Sequence, residues 1–192
     1  MFSSRVKSCV LLPALVLAVI LLSYGEAKAH EQEVDFGAIK VIYKDQEQLQ
    51  KFSELIQPGA FGQSFGSLFG GGGGGSGSKN DVGQYLNNLL RRVQLVLDMP
   101  YPRMKIIIKV FDNQQELGQA AAALIGRRLS EPGFYWHATK TIHVTMDDLS
   151  VGIMAHEMGH AVIDHFLAIK PPPKIAEMLC QYVDKEITEG RY

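Results

Sequence analysis

The segment VGIMAHEMGHAVIDHF, residues 151–166, decides how the rest of the chain is read. Asp147-Asp148-Leu149-Ser150 leads into it and Pro171-Pro172-Pro173 stops it, so a helix is expected from about 150 to Ile169. On that helix His156 and His160 are four residues apart and project from one face. Two imidazoles one turn apart can both reach a single Zn²⁺ at about 2.0–2.1 Å. Glu157, one residue beyond the first histidine, is placed for the water on such a metal rather than for the metal itself, which is the chemistry of the H-E-x-x-H spacing. The surrounding residues Val151, Ile153, Met154, Ala155, Ala161, Val162 and Ile163 are apolar. A carboxylate and two polar rings in that setting need a partner, and a metal ion supplies one. Two histidines held as ordinary core residues would leave that need unmet.

A catalytic zinc keeps three protein ligands and one open position, so a third ligand must come from elsewhere. The triple proline lets the chain reverse, and Lys174 to about Ile187 reads as a final helix with Ile175, Met178, Leu179 and Val183 on an apolar stripe. An antiparallel neighbour of this kind can bring Glu177 back to the histidine pair. Asp184 and Glu186 are alternatives nearer the chain end. Cys180, within the same apolar pattern, reads as a small core residue.

Working outward, residues 36–43 (FGAIKVIY) and 105–111 (KIIIKVF) read as strands, rich in β-branched and aromatic residues. Asp45 caps a helix carrying Leu49, Phe52, Leu55 and Ile56, which Pro58-Gly59 ends. Asp81 caps a helix with Leu86, Leu89, Leu90, Val93, Val96 and Leu97 on one face. Asp112 and Asn113 cap a third, Gln114–Ile125, with Gly126 at its C-terminus. IKVIYKDQEQL at 39–49 echoes IIKVFDNQQEL at 107–117, the same strand–cap–helix solution used twice. Phe134–His137 and Thr141–Met146 are short strands joined by Ala138–Lys140, a candidate hairpin.

Beyond the chemistry of the spacing, AHEMGHAVID followed by PPPKIAEMLCQYV resembles the gluzincin branch of HExxH metallopeptidases, with its thermolysin-like and peptidase MA-like members. The first stretch is similar to the pattern HExxHAVxD. The second is similar to a proline-led P-x-x-x-E-x-x-x-x-Y helix, matched here by Pro173, Glu177 and Tyr182. The likeness covers 105–187 well and 36–104 loosely. It departs from the family in a shorter gap before the second helix, in Met178 where many members have glycine, and in Gln181 where an acidic residue often orients a ligand histidine.

The resemblance implies an α+β, zincin-like fold: a small mixed sheet with an edge strand beside the HExxH helix, followed by a glutamate-bearing helix. It implies one zinc per chain on His156, His160 and Glu177, with Glu157 as general base. Gln181 or Asp164 would support a ligand histidine. Thr141–Met146 would border the cleft and pair with an extended peptide or protein substrate. An oxyanion donor is also required. Tyr182, His143, His137 and Tyr135 are candidates, Tyr182 being the one taken with Glu157 as catalytic. The expected reaction is peptide hydrolysis. A non-catalytic zincin-like binding module with a structural zinc is the alternative, motivated by the small size of the chain.

The 192 residues suffice for one domain. Arg5 and Lys7, the apolar run Cys9–Ser23 and Ala27-Lys28-Ala29 read as a signal peptide over 1–29, giving an exported chain, periplasmic or extracellular, that starts at His30. A copper site on His30 would need a second histidine, and none is near in sequence. With three basic residues and one acidic residue in the leader and −1 overall, the remainder carries −3. That balance gives no electrostatic reason for nucleic acid. No second long apolar segment follows the leader, so no stable membrane insertion is expected after its removal. The expected organisation is a strand–helix part at 30–58, a glycine-rich flexible loop at 59–79 and the zincin-like part at 80–192. The loop contains Phe61, Phe65, Leu68 and Phe69, which could shade a cleft.

Overall fold

The computed structural model describes residues 31–57 and 79–190, apart from the side chains of 79–81. The expected leader, His30 and the glycine-rich stretch through Ser78 lie outside the described residues. The described chain forms one mixed sheet of β1 (Gln32–Asp35), β2 (Ile39–Tyr43), β3 (Ile106–Phe111), β4 (Gly133–Trp136) and β5 (Thr141–Thr145), in the order β1-β2-β3-β5-β4. β2, β3 and β5 run parallel, and β1 and β4 close the two edges as antiparallel strands. With it go helices α1 (Gln46–Ile56), α2 (Lys79–Val96), α3 (Gln114–Ile125), α4 (Val151–Phe166) and α5 (Pro173–Thr188). A mixed sheet with five described helices is compatible with the α+β class.

Period-two alternation in β2 and β3 sends Ile39, Val41 and Tyr43, then Ile106, Ile108 and Val110, to one face. Ile142 and Val144 of β5 continue it. Against this face pack Leu49, Phe52 and Ile56 of α1, Leu86, Leu89 and Val93 of α2, Met154, Met158 and Val162 of α4, and Val183 of α5. Truncating a buried aromatic such as Phe52 to Ala in a core of this kind costs about 3–5 kcal/mol.

The repeated strand–cap–helix segment is repeated in structure. Asp45 Oδ1 accepts from the Gln48 amide at 2.9 Å, and Asn113 Oδ1 from the Glu116 amide at 3.0 Å, opening α1 and α3 in the same way. Several elements differ from the sequence expectation; the strand expected over 36–43 begins only at Ile39. The run Lys79-Asn80-Asp81 is helical, so Asp81 sits inside α2 rather than before it; a string of cap-forming residues does not single out one cap. α4 stops at Phe166, three residues short of Ile169, because Leu167 turns extended and the Lys170 ammonium takes the carbonyls of Asp164 and Leu167. β1 has no apolar alternation to announce it and is held from outside, by pairing with β2 and by the Lys40–Glu33 ion pair at 3.2 Å.

The most consequential difference concerns β5. It lies between β3 and β4, is buried at all five positions, and has no free edge for an incoming peptide. The edge strand beside the HExxH helix is β4. Thr141–Met146 therefore cannot serve as the substrate-pairing strand.

His143 of β5 is 6 % exposed, on the sheet face opposite Ile142 and Val144. Its ring stacks on that of its cross-strand neighbour Phe134 at 4.7 Å and 5°, and on that of Phe111 at 5.9 Å. Neither ring nitrogen has a hydrogen-bond partner among the described residues. Burial first, and then the nearby Lys109 ammonium, push its pKa down to about 4. The unfolded chain, titrating near 6.5, therefore binds this proton before the folded chain does. Stability should fall as pH drops from about 6.5 to 4, by on the order of 1–3 kcal/mol. His143→Leu should flatten that slope in urea midpoints taken across the range; an unchanged slope would assign the acid sensitivity elsewhere.

Candidate metal centre

The packing of α4 on α5 builds the site. The helices run antiparallel, with the start of α4 against the end of α5. A Cβ on Gly159 would lie 3.1 Å from Cys180 Sγ and 3.5 Å from its Cα, and one on Gly152 would lie 2.1 Å from Asp184 Oδ1. Gly152 and Gly159 are seven residues apart, hence on one face of α4. They meet Cys180, Asp184 and Thr188, spaced four apart on α5. The absence of side chains along that seam lets the two backbones approach closely.

This approach brings Glu177 to the histidine pair. His156 Nε2 and His160 Nε2 are 3.2 Å apart. Glu177 Oε1 lies 3.4 Å from the first and Oε2 3.5 Å from the second. Ligands at about 2.0–2.1 Å from a tetrahedral zinc are separated by about 3.3 Å, a spacing the two imidazole nitrogens meet, while Glu177 offers a different oxygen at that range to each ring. Burial, followed by the neighbouring His156 ring, lowers the His160 pKa, against the pull of Glu177. That favours the neutral imidazole a metal requires.

Cys180 enters the same neighbourhood, unanticipated as more than a core residue. Its Sγ lies within 4.8 Å of the ligand nitrogens of both histidines. The signal was its place one turn beyond Glu177, on the same side of α5. Two donor sets thus share the histidines, one completed by Glu177 and one by Cys180. The Glu177 set fits better. Its oxygens already stand at ligand separations, whereas the thiol is fully buried, seated on Gly159, and held protonated chiefly by burial and then by the charges of Glu157 and Glu177.

Glu157 is 7 % exposed and lies against β4, where a Cβ on Gly133 would come within 3.2 Å of its Cγ. Burial and then the Glu177 charge raise its pKa to about 8, while the Tyr135 backbone amide favours the ionised form. The carboxylate is therefore short of positive charge, which a divalent cation on the adjacent triad would supply.

An open cleft of about 620 Å³ exposes this group. β4 and the strap before it form one wall, through Glu131, Gly133 and Tyr135; Lys170, Pro171 and Ala176 form the other. The remaining candidates fall on both sides of that boundary. Tyr135 and His137 line the cleft. Tyr182 is 44 % exposed on α5 and is not among the cleft residues, and His143 is stacked within the sheet. Asp184 lies at Gly152, a turn before His156, and Glu186, nine residues past Glu177, falls on the opposite side of α5.

Two supporting roles are corrected. Gln181 does not meet a histidine; its Nε2 donates to Glu177 Oε1 at 3.3 Å, because both project from one face of α5. Asp164 does not meet His160. Its carboxylate accepts from Tyr135 Oη at 2.7 Å and pairs with the ammonium groups of Lys140 and Lys170.

The seam predicts a specific coupling. Gly159→Ala should destabilise the chain by about 1–3 kcal/mol in urea denaturation. Adding Cys180→Ala removes the sulfur in the way, so the double variant should be more stable than the sum of the two single changes. Strict additivity would mean that the two helices are not limited by this contact. In comparisons with known proteins, no family model matches the chain, and no curated protein or solved structure matches it.

Proposed function

We propose that the chain is an exported zinc-dependent peptidase of gluzincin type, with one ion held by His156, His160 and Glu177. The observation that carries this reading is the trio of 3.2, 3.4 and 3.5 Å separations among those side chains, with a buried carboxylate beside them. When bound, the ion supplies Lewis acidity, lowering the pKa of a water and polarising a carbonyl. Glu157 takes the proton from the attacking water and returns it to the leaving amine. An extended peptide or protein segment lies along β4, whose outer edge faces the cleft, and pairs with its main chain. Export rests on the leader-like pattern of residues 1–29 alone. No helix of the described residues is long and apolar enough to cross a membrane.

The purified chain should hold about one zinc. Glu157→Gln should retain it while peptide turnover falls at least about 100-fold. Metal content and cleavage of a broad peptide library, measured together, check this. Turnover surviving in the Glu157→Gln chain would remove that carboxylate from its role.

Cys180 favours a second reading, a non-catalytic zincin-like binding module. A thiolate added to the triad would make a fourth protein ligand and close the site, as structural zinc sites are closed. Cobalt(II) in place of zinc separates the two. A sulfur-to-cobalt charge-transfer band, together with no cleavage of the library, would favour the closed site.

A further inference from the structure

Asp164 draws together more of the site than any other group that touches neither a candidate ligand nor Glu157. It lies on α4 one turn past His160, and its side chain is 9 % exposed. One carboxylate oxygen accepts from Tyr135 Oη at 2.7 Å and pairs with Lys140; the other meets Lys170 Nζ at 2.7 Å. Burial alone would raise its pKa, but hydrogen bonds from Lys140, Lys170 and Tyr135 outweigh that and hold it at about 2. The group is thus ionised at any working pH. A charge this well partnered inside the fold is a firm anchor.

Its partners come from different segments, and two of them, Tyr135 and Lys170, line the cleft. Tyr135 is on the edge strand β4, and its backbone amide faces the Glu157 carboxylate. Burial, and then the bond to Asp164, keep the phenol protonated as a donor. Lys170 belongs to the connection from α4 to α5, seven residues before Glu177. Its ammonium also takes the backbone carbonyls of Asp164 and Leu167, so it is saturated by the end of α4 rather than free for a ligand. Lys140 ends the β4–β5 turn at φ 54°, tying that turn to the same carboxylate.

We infer that Asp164 is a positioning residue with two arms: through Tyr135 it sets the edge strand against Glu157, and through Lys170 it sets the approach of the helix that carries Glu177. The inference rests on the proposed zinc site for its consequence in metal affinity and on the hydrolase reading for its consequence in turnover, whereas backbone protection at position 135 depends on neither. The arms predict different losses when cut singly. Removing the Tyr135 hydroxyl frees the strand and leaves the ligands in place. Removing the Lys170 ammonium loosens the connection and leaves the strand in place.

The test uses the full zinc-loaded chain with Tyr135→Phe and Lys170→Met. Zinc affinity is measured by chelator competition, amide exchange at position 135 by NMR, and kcat and KM on a cleaved peptide. Tyr135→Phe should keep zinc affinity within about twofold, speed amide exchange at 135, and lower kcat about 10-fold with KM little changed. Lys170→Met should weaken zinc about 10-fold without changing that exchange. Asp164→Asn should show both losses, and Asp164→Glu should restore part of each. If Asp164→Asn fails to fold, the two single-arm variants still decide. Equal losses of affinity in both arms, or unaltered exchange at 135 in Tyr135→Phe, would overturn the inference. A wild-type chain that binds zinc but cleaves nothing sinks the hydrolase reading only, since affinity and exchange still report on the two arms.

Discussion

The contact on which the candidate site depends is the close crossing of α4 and α5. A carboxylate and two imidazoles can share one ion only if their donor atoms come within about 3.5 Å, and no single helix presents all three at that spacing. The histidines come from one turn of α4; the glutamate must come from a second helix at short range. Gly152 and Gly159 make the range short by leaving Cys180, Asp184 and Thr188 nothing to clash with. The crossing is antiparallel because the three prolines reverse the chain within a few residues, so Glu177 meets the histidines while Asp184 and Thr188 pass alongside Gly152.

The same crossing places the buried Cys180 thiol close to both imidazoles. Cys180 fills the space over Gly159, and a larger residue there would push α5 away. Its nearness to both imidazoles follows from that packing. Helix periodicity then sorts the acidic residues of α5. Glu177 faces the histidines, Gln181 one turn later can reach only Glu177, and Glu186 is turned away. The open side of the group is left to β4, which Gly133 allows to approach Glu157.

On the sheet, burial separates two strands that look alike in sequence. Thr141-Ile142-His143-Val144-Thr145 alternates polar and apolar residues, as a strand with one wet face does. Yet β4 covers its outer edge and aromatic rings cover His143, so all five residues are buried. Gly133-Phe134-Tyr135-Trp136 looks like the more hydrophobic strand and is the edge. Its half-buried aromatics lie on both sides, stacking on His143 in one direction and reaching Asp164 in the other. Strand order follows from which neighbours supply pairing partners and cover, and that cannot be read from either segment alone.

The sequence by itself determined the local elements: Asp45 and Asn113 as caps, strands within 36–43 and 105–111, and α4 with its two histidines on one face. These depend on backbone chemistry and on contacts within a few residues, so a short window holds the whole cause. The grouping of His156, His160 and Glu177 was legible for a related reason, since a helix period and a tight reversal leave few ways to arrange them. Only the tertiary structure decided that β5 is interior and β4 the edge, that Asp164 serves Tyr135 and Lys170 instead of a histidine, that Cys180 lies close to both imidazoles, and that Tyr182 stays off the cleft. Each of these turns on which surfaces of distant segments meet, and a side chain's neighbours across such a contact leave no mark on its own stretch of chain.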